Sequence, residues 1–496
     1  MDPQILNEAR SRVASVLGSK VAEKASDTFC AAFGLPHPAA FALETLGAPQ
    51  RPPMVVIELY RQLDVSKEIN KAVDKIRKTK TWEQFRKELK KIEIPQVTNG
   101  VTTEVMETGR SEPEILPIQA ARLLRYLKVT SLRDNFLKGS AAITDQIQRS
   151  SQKFQQPNLE GFAGFRGPNS ITQICWLNNT IRSKAHVGSL AEVAADDLVE
   201  RIDVSRQLLP EVNVTAKTVG STKFRTKFSQ TGKGIIVAVI DSEVALNHPA
   251  LKGRVAHKEN FTEELWGNPG THATAVAGII GSNHSKFTGM APEATIYNYK
   301  VIATNRALSG DDFDGALAIQ QAVEDGAHIA NCSWGNGPAG DGTSREAVAC
   351  NEAWALGLTV VKSAGNLGPG AQTLTTPADA DGVITVGAMD RKGTAVQDYS
   401  SRGPAGSKSR PHLLAPGGIN GGAGIFSCLI GGGFGDCGAG TSFAAPHVSG
   451  LAALLLQQDP NLTPDVLREK LLAACTLISG LDVNTQGRGL LSLGSI

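Results

Sequence analysis

The sequence predicts an α/β protein built on a parallel sheet that helices cover on both faces. Three observations over residues 225–496 carry this prediction: unbroken apolar runs of strand length recur, helical segments alternate with them, and most of the 51 glycines fall in this region. Such runs are typical of buried parallel strands, and ligands and catalytic groups gather at the carboxyl ends of these strands. We therefore expect functional side chains where the runs end.

The predicted elements of this region alternate along the chain. Strands are expected at 235–240, 296–302, 329–332, 359–363 and 383–387. Helices are expected at 316–324, 344–355, 443–458 and 463–474, the last capped by Thr463.

Residues 1–95 are predicted to form a small helical bundle. Apolar residues recur at helical spacing over the first 17 positions, and further apolar patches cover 55–63 and 69–94. The last patch carries eight Lys and Arg residues, which indicate either a solvated helix face or a site for an acidic protein partner. Adaptor modules of the death-fold kind are similar in size and pattern, although no motif identifies one.

Residues 96–114 are polar and predict a linker, and residues 115–224 predict a small α+β module. In that module a strand is expected at 170–178, a helix at 187–194 and a strand at 199–204. Ser189 and Glu192 have the spacing of a capping box at the start of the helix.

The bulk properties exclude several classes of function. A net charge of +2 gives no overall attraction to nucleic acid or membranes, and no run of 18 apolar residues could span a bilayer. The first 12 residues lack the apolar core of a secretory signal, and seven cysteines cannot all pair. We therefore expect a reducing compartment, the cytoplasm, with Cys428 and Cys437 as buried thiols or as a pair under oxidation.

Ser442 is a candidate nucleophile. It follows Gly440-Thr441 and precedes the predicted helix that begins at Phe443. A serine hydroxyl is a weak nucleophile until a base takes its proton. The start of a helix offers unpaired N–H groups and a positive dipole end to a developing negative charge. A base, a group that orients the base and an oxyanion donor should therefore lie elsewhere in the chain.

Three upstream segments supply those groups. Asp241 ends the first apolar run, His272 opens a helix of small residues, and Asn366 follows Gly365 in the loop after a strand. Each has an ordinary alternative explanation as a turn, helix or cap residue. Together they predict a catalytic triad of Asp241, His272 and Ser442, with the amide of Asn366 in an oxyanion hole.

The chain order Asp, His, Ser is that of subtilisin, and differs from chymotrypsin and the α/β-hydrolases. Seven segments resemble segments of the subtilisin-like serine proteases, in the same order: 237–242, 270–278, 331–335, 360–366, 399–404, 414–417 and 440–450. The resemblance covers most of residues 225–493. It implies the three-layer subtilisin-like fold and serine endopeptidase activity on proteins or peptides.

The resemblance also implies roles for substrate-binding residues. Ser333, Trp334 and Gly335 match the strand that pairs with the substrate backbone. Asp311 and Asp312, with Asp314 nearby, fall where the family lines the pockets upstream of the scissile bond. These carboxylates could favour basic substrate residues or form a solvated acidic turn.

The α+β module resembles the propeptide of this family, which assists folding and blocks the cleft. The segment 176–181 resembles the middle of that propeptide, and an unrelated α/β insert is the alternative. If Leu209 preceded a self-cleavage point, Arg206 would face the acidic residues of the pocket.

Two positions depart from the family. Glu243 stands where relatives usually carry glycine, and the sequence offers no reason for its charge. Ala250 stands where many relatives carry an aspartate that binds calcium. We therefore expect no metal site and no cofactor, apart from weakly bound calcium.

The expected function is that of an intracellular zymogen whose N-terminal domains regulate a serine endopeptidase. A protease-like adaptor whose main reaction is self-cleavage, and a constitutive degradative protease, are the alternatives. Neither nucleic acid nor a membrane is expected as a partner.

Overall fold

The computed structural model describes residues 10–11, 14, 19–24, 55–59, 129, 132–134, 136–145, 172–183, 193–196, 199–204, 209–210 and 218–495. Its N-terminal part contains helix α1 and five strands: α1 Ser19–Lys24, β1 Val55–Leu59, β2 Thr172–Cys175, β3 Thr180–Ser183, β4 Val199–Val204 and β5 Leu209–Pro210. The predicted linker at 96–114 and the basic patch at 69–94 lie outside the described residues.

The α+β module contains a strand that sequence reasoning placed in a helix. Strands β1 to β4 form an antiparallel sheet in the order β2-β3-β1-β4, in which Ile57 lies opposite both Ile181 and Ile202. The helical prediction for 55–63 is therefore wrong for Val55–Leu59. The run begins with Val-Val-Ile, and these β-branched residues favour a strand. A run this short cannot be assigned to a helix or a strand from the spacing of its apolar residues.

Residues 218–495 form the predicted three-layer α/β domain. Its remaining strands are β6 Ile236–Asp241, β7 Val255–Asn260, β8 Thr295–Lys300, β9 Ile329–Cys332, β10 Trp334–Pro338, β11 Thr359–Ser363, β12 Thr375–Thr376, β13 Ile384–Met389, β14 Leu413–Pro416, β15 Phe426–Cys428, β16 Phe434–Asp436, β17 Cys475–Thr476 and β18 Leu490–Leu491. Its helices are α2 Ser221–Phe228, α3 Thr271–Gly281, α4 Asp312–Glu324, α5 Arg345–Ala355, α6 Thr441–Gln458, α7 Pro464–Ala473 and α8 Val483–Gln486.

A nine-stranded sheet forms the middle layer. Its order is β17-β18-β14-β13-β11-β9-β6-β8-β7, and all pairs are parallel except β17 with β18. Successive residues of β6 alternate between two cores: Ala238 and Ile240 face the core that contains α4 and α5, and Val237 and Val239 face the core that contains α3 and α6. Burial on both faces explains why this strand is apolar throughout.

The predicted elements of the domain are confirmed to within one helical turn. Helix α4 begins earlier than expected because Asp311 and Asp314 form a reciprocal capping box at its start. Thr463 caps α7 as predicted. Among the described residues, no helix combines the length and apolar character that crossing a membrane would require.

Candidate active site

Asp241 and His272 lie together at the carboxyl edge of the sheet. Asp241 ends β6 and is fully buried, and His272 is the second residue of α3. The Nδ1 of His272 donates to Asp241 Oδ1 at 2.8 Å, and the Ser242 amide donates to the same oxygen at 2.6 Å. Because the carboxylate is an acceptor, it keeps the proton on Nδ1 and leaves Nε2 to act as the base.

Ser442 is buried at the second position of α6. Its Oγ donates to the backbone carbonyl of Ser333 at 3.1 Å, and Ser333 Oγ donates to the Ser442 carbonyl at 2.6 Å. The next residue, Phe443, stacks on the His272 ring with centroids 5.3 Å apart. The hydroxyl makes no hydrogen bond to His272 within the described part of the chain. Hydrogen bonds between catalytic groups are often long or poorly aligned before substrate binds, so this arrangement does not argue against His272 as the base.

Asn366 is oriented by the start of the same helix. Its Oδ1 accepts from the amide of Thr441 at 2.9 Å and from the hydroxyl of Thr441 at 3.0 Å. Because the oxygen is bound in this way, the Nδ2 group is directed elsewhere and is available as a donor. The preceding Gly365 has φ +114°, a conformation that a residue with a side chain would rarely adopt.

The predicted substrate-binding strand is occupied by the chain itself. In an antiparallel pair, Gly335 of β10 lies opposite Leu209 and Trp334 lies opposite Pro210. On its other side β10 pairs with β12, so β5-β10-β12 form a three-stranded sheet beside Ser442. Leu209 and Pro210 thus lie in the groove as an added strand, the mode predicted for a peptide substrate.

The acidic residues at the start of α4 have partners inside the protein. The fully buried carboxylate of Asp312 accepts from Arg345 at 2.6 Å. Arg182 of β3 donates to Asp311 and to Asp314, each at 2.7 Å. Asp312 is therefore paired inside the protein, and Asp311 contacts the α+β module. Arg206 lies outside the described residues, and a role for Asp311 in selecting basic substrate residues stays a prediction.

The departure at Glu243 has a structural reason. Its two carboxylate oxygens accept from the amides of Gly267 and Asn268 at 3.0 to 3.2 Å, and Lys300 Nζ lies 3.3 Å from Oε2. The Glu243 carbonyl accepts from Gly270, the N-cap of α3. Glu243 therefore fixes the loop that leads into His272.

Lys300 is the centre of this network and is fully buried. Its Nζ also lies 2.9 Å from Glu264 Oε2 and donates to the Leu265 carbonyl at 3.1 Å. Burial would raise the pKa of Glu264, but hydrogen bonds from Lys300, Thr304 and Asn305 outweigh it and lower the pKa. Sequence reasoning missed Lys300, although a lone lysine at the end of a buried strand was a visible signal.

Ala250 lies in a buried turn where its methyl group packs in the core. Its amide donates to His248 Nδ1 at 3.1 Å, and the side chain provides no oxygen for a hard cation. The expectation of only weak calcium binding stays a prediction.

Comparisons with known proteins identify the family. The model of the subtilase family (peptidase S8) matches residues 232–489. Serine protease AprX of Bacillus subtilis (strain 168) is 35% identical over 296 residues, which are 52% of this chain and 65% of AprX. Subtilisin DY of Bacillus licheniformis is 32% identical over 268 residues, which are 53% of this chain and 90% of subtilisin DY.

Among solved structures, Sphericase matches with 27% identity and a TM-score of 0.46, over 56% of this chain and 100% of its own. The chain thus spans about two thirds of the length of AprX and most of subtilisin DY. Because the family match covers more than half of the chain, the chain belongs to the subtilase family, and its domain at 232–489 is a serine endopeptidase domain.

Proposed function

We propose that the chain cleaves peptide bonds by acyl transfer at Ser442. The hydroxyl turns from the Ser333 carbonyl towards His272, which takes its proton as the oxygen attacks the substrate carbonyl and then gives it to the leaving amine. Water, activated by the same histidine, then hydrolyses the acyl-enzyme and frees Ser442. Asp241 stabilises the charged imidazole, since its carboxylate already accepts the Nδ1 proton at 2.8 Å. The Nδ2 of Asn366 and the backbone N–H of Ser442 stabilise the oxyanion.

We further propose that the enzyme is made as a zymogen. The single observation that supports this is the antiparallel pair between Leu209–Pro210 and Trp334–Gly335. A strand in this place excludes a substrate that binds by strand addition. The blocking strand belongs to the same chain, so the block is intramolecular.

The register of this pair suggests a different self-cleavage point from the one expected at Leu209. If the antiparallel pairing continued by one residue, position 211 would lie opposite Ser333, whose carbonyl lies 3.1 Å from Ser442 Oγ. We therefore propose that cleavage follows Glu211 and that the mature enzyme begins at Val212.

The α+β module has a docking site on α4 that would keep the strand in place. Trp176 Nε1 donates to Glu324 at 2.6 Å, and the Leu177 amide donates to Gln320 at 3.2 Å. Together with Arg182, these contacts span α4 from its first residues to its last. An inhibitory module that docks in this way can remain bound after its connection to the domain is cut.

Self-cleavage provides the test. Wild type and Ser442→Ala are incubated as full-length chains, and N-terminal sequencing is applied to every fragment. We expect a fragment that starts at Val212 from wild type only. Cleavage of both proteins at the same point would contradict the role of Ser442. A start at a position other than 212 in wild type alone would contradict the proposed register and leave the protease assignment standing.

The cytoplasm is the location we propose, on the basis of the cysteines. The six described cysteines are thiols, and burial raises the pKa of Cys428 and of Cys475 to about 12, which makes both unreactive. Thiols of this kind fit a reducing compartment. Cell fractionation tests the proposal, and recovery of the protein outside the cytoplasm would contradict it.

A further inference from the structure

A second cluster of ionisable side chains lies at the edge of the sheet, apart from the active site. His257 and Glu259 are alternate residues of the edge strand β7, and Asp325 is the C-cap of α4. One nitrogen or oxygen atom from each of the three side chains lies within 4.8 Å of the others. No step of peptide hydrolysis uses any of them.

The histidine of this cluster has a nitrogen without a hydrogen bond. His257 Nε2 lies 3.2 Å from Asp325 Oδ2, yet among the described residues this solvent-shielded atom has no hydrogen-bond partner. Buried polar atoms nearly always have a partner in a protein or in ordered solvent. The nitrogen therefore faces a carboxylate in a position where one cation would bind both groups.

Neighbouring groups orient these side chains. Tyr299 donates its hydroxyl proton to Asp325 Oδ2 at 2.7 Å, and Gln321 Nε2 donates to Oδ1 at 3.0 Å. The His257 ring packs against Tyr297 and Tyr299, with centroids 5.2 and 5.8 Å apart. Metal sites in proteins have the same construction, in which hydrogen bonds from outside fix the side chains that bind the metal.

The chemistry of the three groups indicates the kind of cation. Imidazole with two carboxylates suits zinc and similar transition metals, whereas calcium and magnesium prefer oxygen atoms alone. Ligand atoms about 2.0 Å from a tetrahedral zinc are roughly 3.3 Å apart, close to the 3.2 Å between His257 and Asp325. Glu259 would reach that spacing only by a rotation of its side chain, since its ligand atom lies within 4.8 Å of the other two. We propose that His257, Glu259 and Asp325 bind one zinc-type divalent cation.

A cation at this site would join β7 to the end of α4. Glu324, the residue before Asp325, accepts the hydrogen bond from Trp176 of the α+β module. The cation therefore stabilises the part of α4 on which the module docks, and its binding should raise the melting temperature of the full-length chain.

Calorimetric titration with ZnCl2 and CoCl2 tests the site in full-length Ser442→Ala, which cannot digest itself if Ser442 is the nucleophile. We expect one cation per chain and the visible absorption of tetrahedral Co2+. His257→Asn and Asp325→Asn should each weaken binding at least about 100-fold, and Tyr299→Phe, which removes the hydroxyl that orients Asp325, about 10-fold. Circular dichroism shows whether each variant is folded. If one of them does not fold, Glu259→Gln takes its place, because Glu259 is half-exposed and its replacement should disturb the fold least.

Two control variants separate this site from other sources of zinc binding. His284→Asn removes a half-exposed histidine that also packs against an aromatic ring, and it should leave the titration unchanged. His272→Ala removes the imidazole of the active site and should also leave it unchanged. Equal binding by the parent and the His257 and Asp325 variants, or loss of binding in His272→Ala, would overturn the proposal.

Discussion

Arg182 and Asp314 form a buried ion pair at 2.7 Å that joins the α+β module to the subtilase domain. A second carboxylate, Asp311, accepts from the same guanidinium, whose carbon lies 4.7 Å from the centre of the Phe313 ring. Burial raises the pKa of Asp314, and the attraction of Arg182 opposes this shift. Removing either partner would leave a buried charge unpaired, which is strongly destabilising. The ion pair of Arg182 with Asp314 therefore anchors the module on the subtilase domain.

Replacing this arginine should release the module. In the Ser442→Ala background, Arg182→Leu leaves two carboxylates without their cation, and we expect the free energy of unfolding to fall by about 3–5 kcal/mol. In the active enzyme the same substitution should speed the appearance of peptidase activity. Arg133→Leu, which breaks an exposed pair with Asp134 in the same part of the chain, should change either quantity little. Equal behaviour of the two variants would argue against Arg182 as an anchor.

Removing the oxyanion donor should lower turnover and leave substrate binding nearly unchanged. Asn366→Ala deletes the Nδ2 group, and we expect kcat to fall about 100- to 1,000-fold, the size measured for such a donor in a subtilisin. KM should stay nearly constant because the donor acts on charge that develops only in the transition state. Steady-state kinetics on a peptide substrate measures both constants, with exposed Asn283→Ala as the control. A rise in KM at constant kcat would place Asn366 in ground-state binding.

The network around Lys300 should matter for both stability and rate. Lys300→Met leaves Glu243 and Glu264 buried without their cation, and we expect a loss of about 3–5 kcal/mol in unfolding free energy. Because Glu243 fixes the loop before His272, kcat should also fall more than KM changes. The matched control is Lys258→Met, since Lys258 also lies over the Trp266 ring but is exposed. If Lys300→Met is folded and fully active, the network around Lys300 stabilises the domain but does not position His272 for catalysis.

The stability of the domain should depend on pH through His447. Burial lowers the pKa of this histidine to about 3, although its hydrogen bond to the Phe443 carbonyl opposes the shift. The unfolded chain binds a proton on this imidazole near its ordinary pKa of 6.5, and the folded chain does not. This contribution to the unfolding free energy is therefore fully present above pH 6.5 and is lost as the pH falls. We expect a slope of about 1.4 kcal/mol per pH unit from this group. Urea unfolding between pH 7 and pH 5 should show a weaker pH dependence in His447→Gln. The same slope in both proteins would contradict this assignment.

The sequence by itself determined the family, the three-layer fold and the candidate catalytic residues. Asp241, His272, Asn366 and Ser442 stand in local patterns, each at the end of a buried run or the start of a helix, and such patterns are visible in one dimension. The prediction failed at Val55–Leu59, where an apolar run was too short to distinguish a helix from a strand.

Only the tertiary structure decided how distant segments contact one another. The antiparallel pairing of Leu209 with Gly335, on which the proposed cleavage point rests, is one such contact. The ion pairs of Arg182 with Asp311 and of Lys300 with Glu243 could likewise be seen only in the structure, because the paired residues lie far apart along the chain. The physical reason is that hydrogen-bond register and buried ion pairs depend on three-dimensional proximity, which leaves no periodic trace in the sequence.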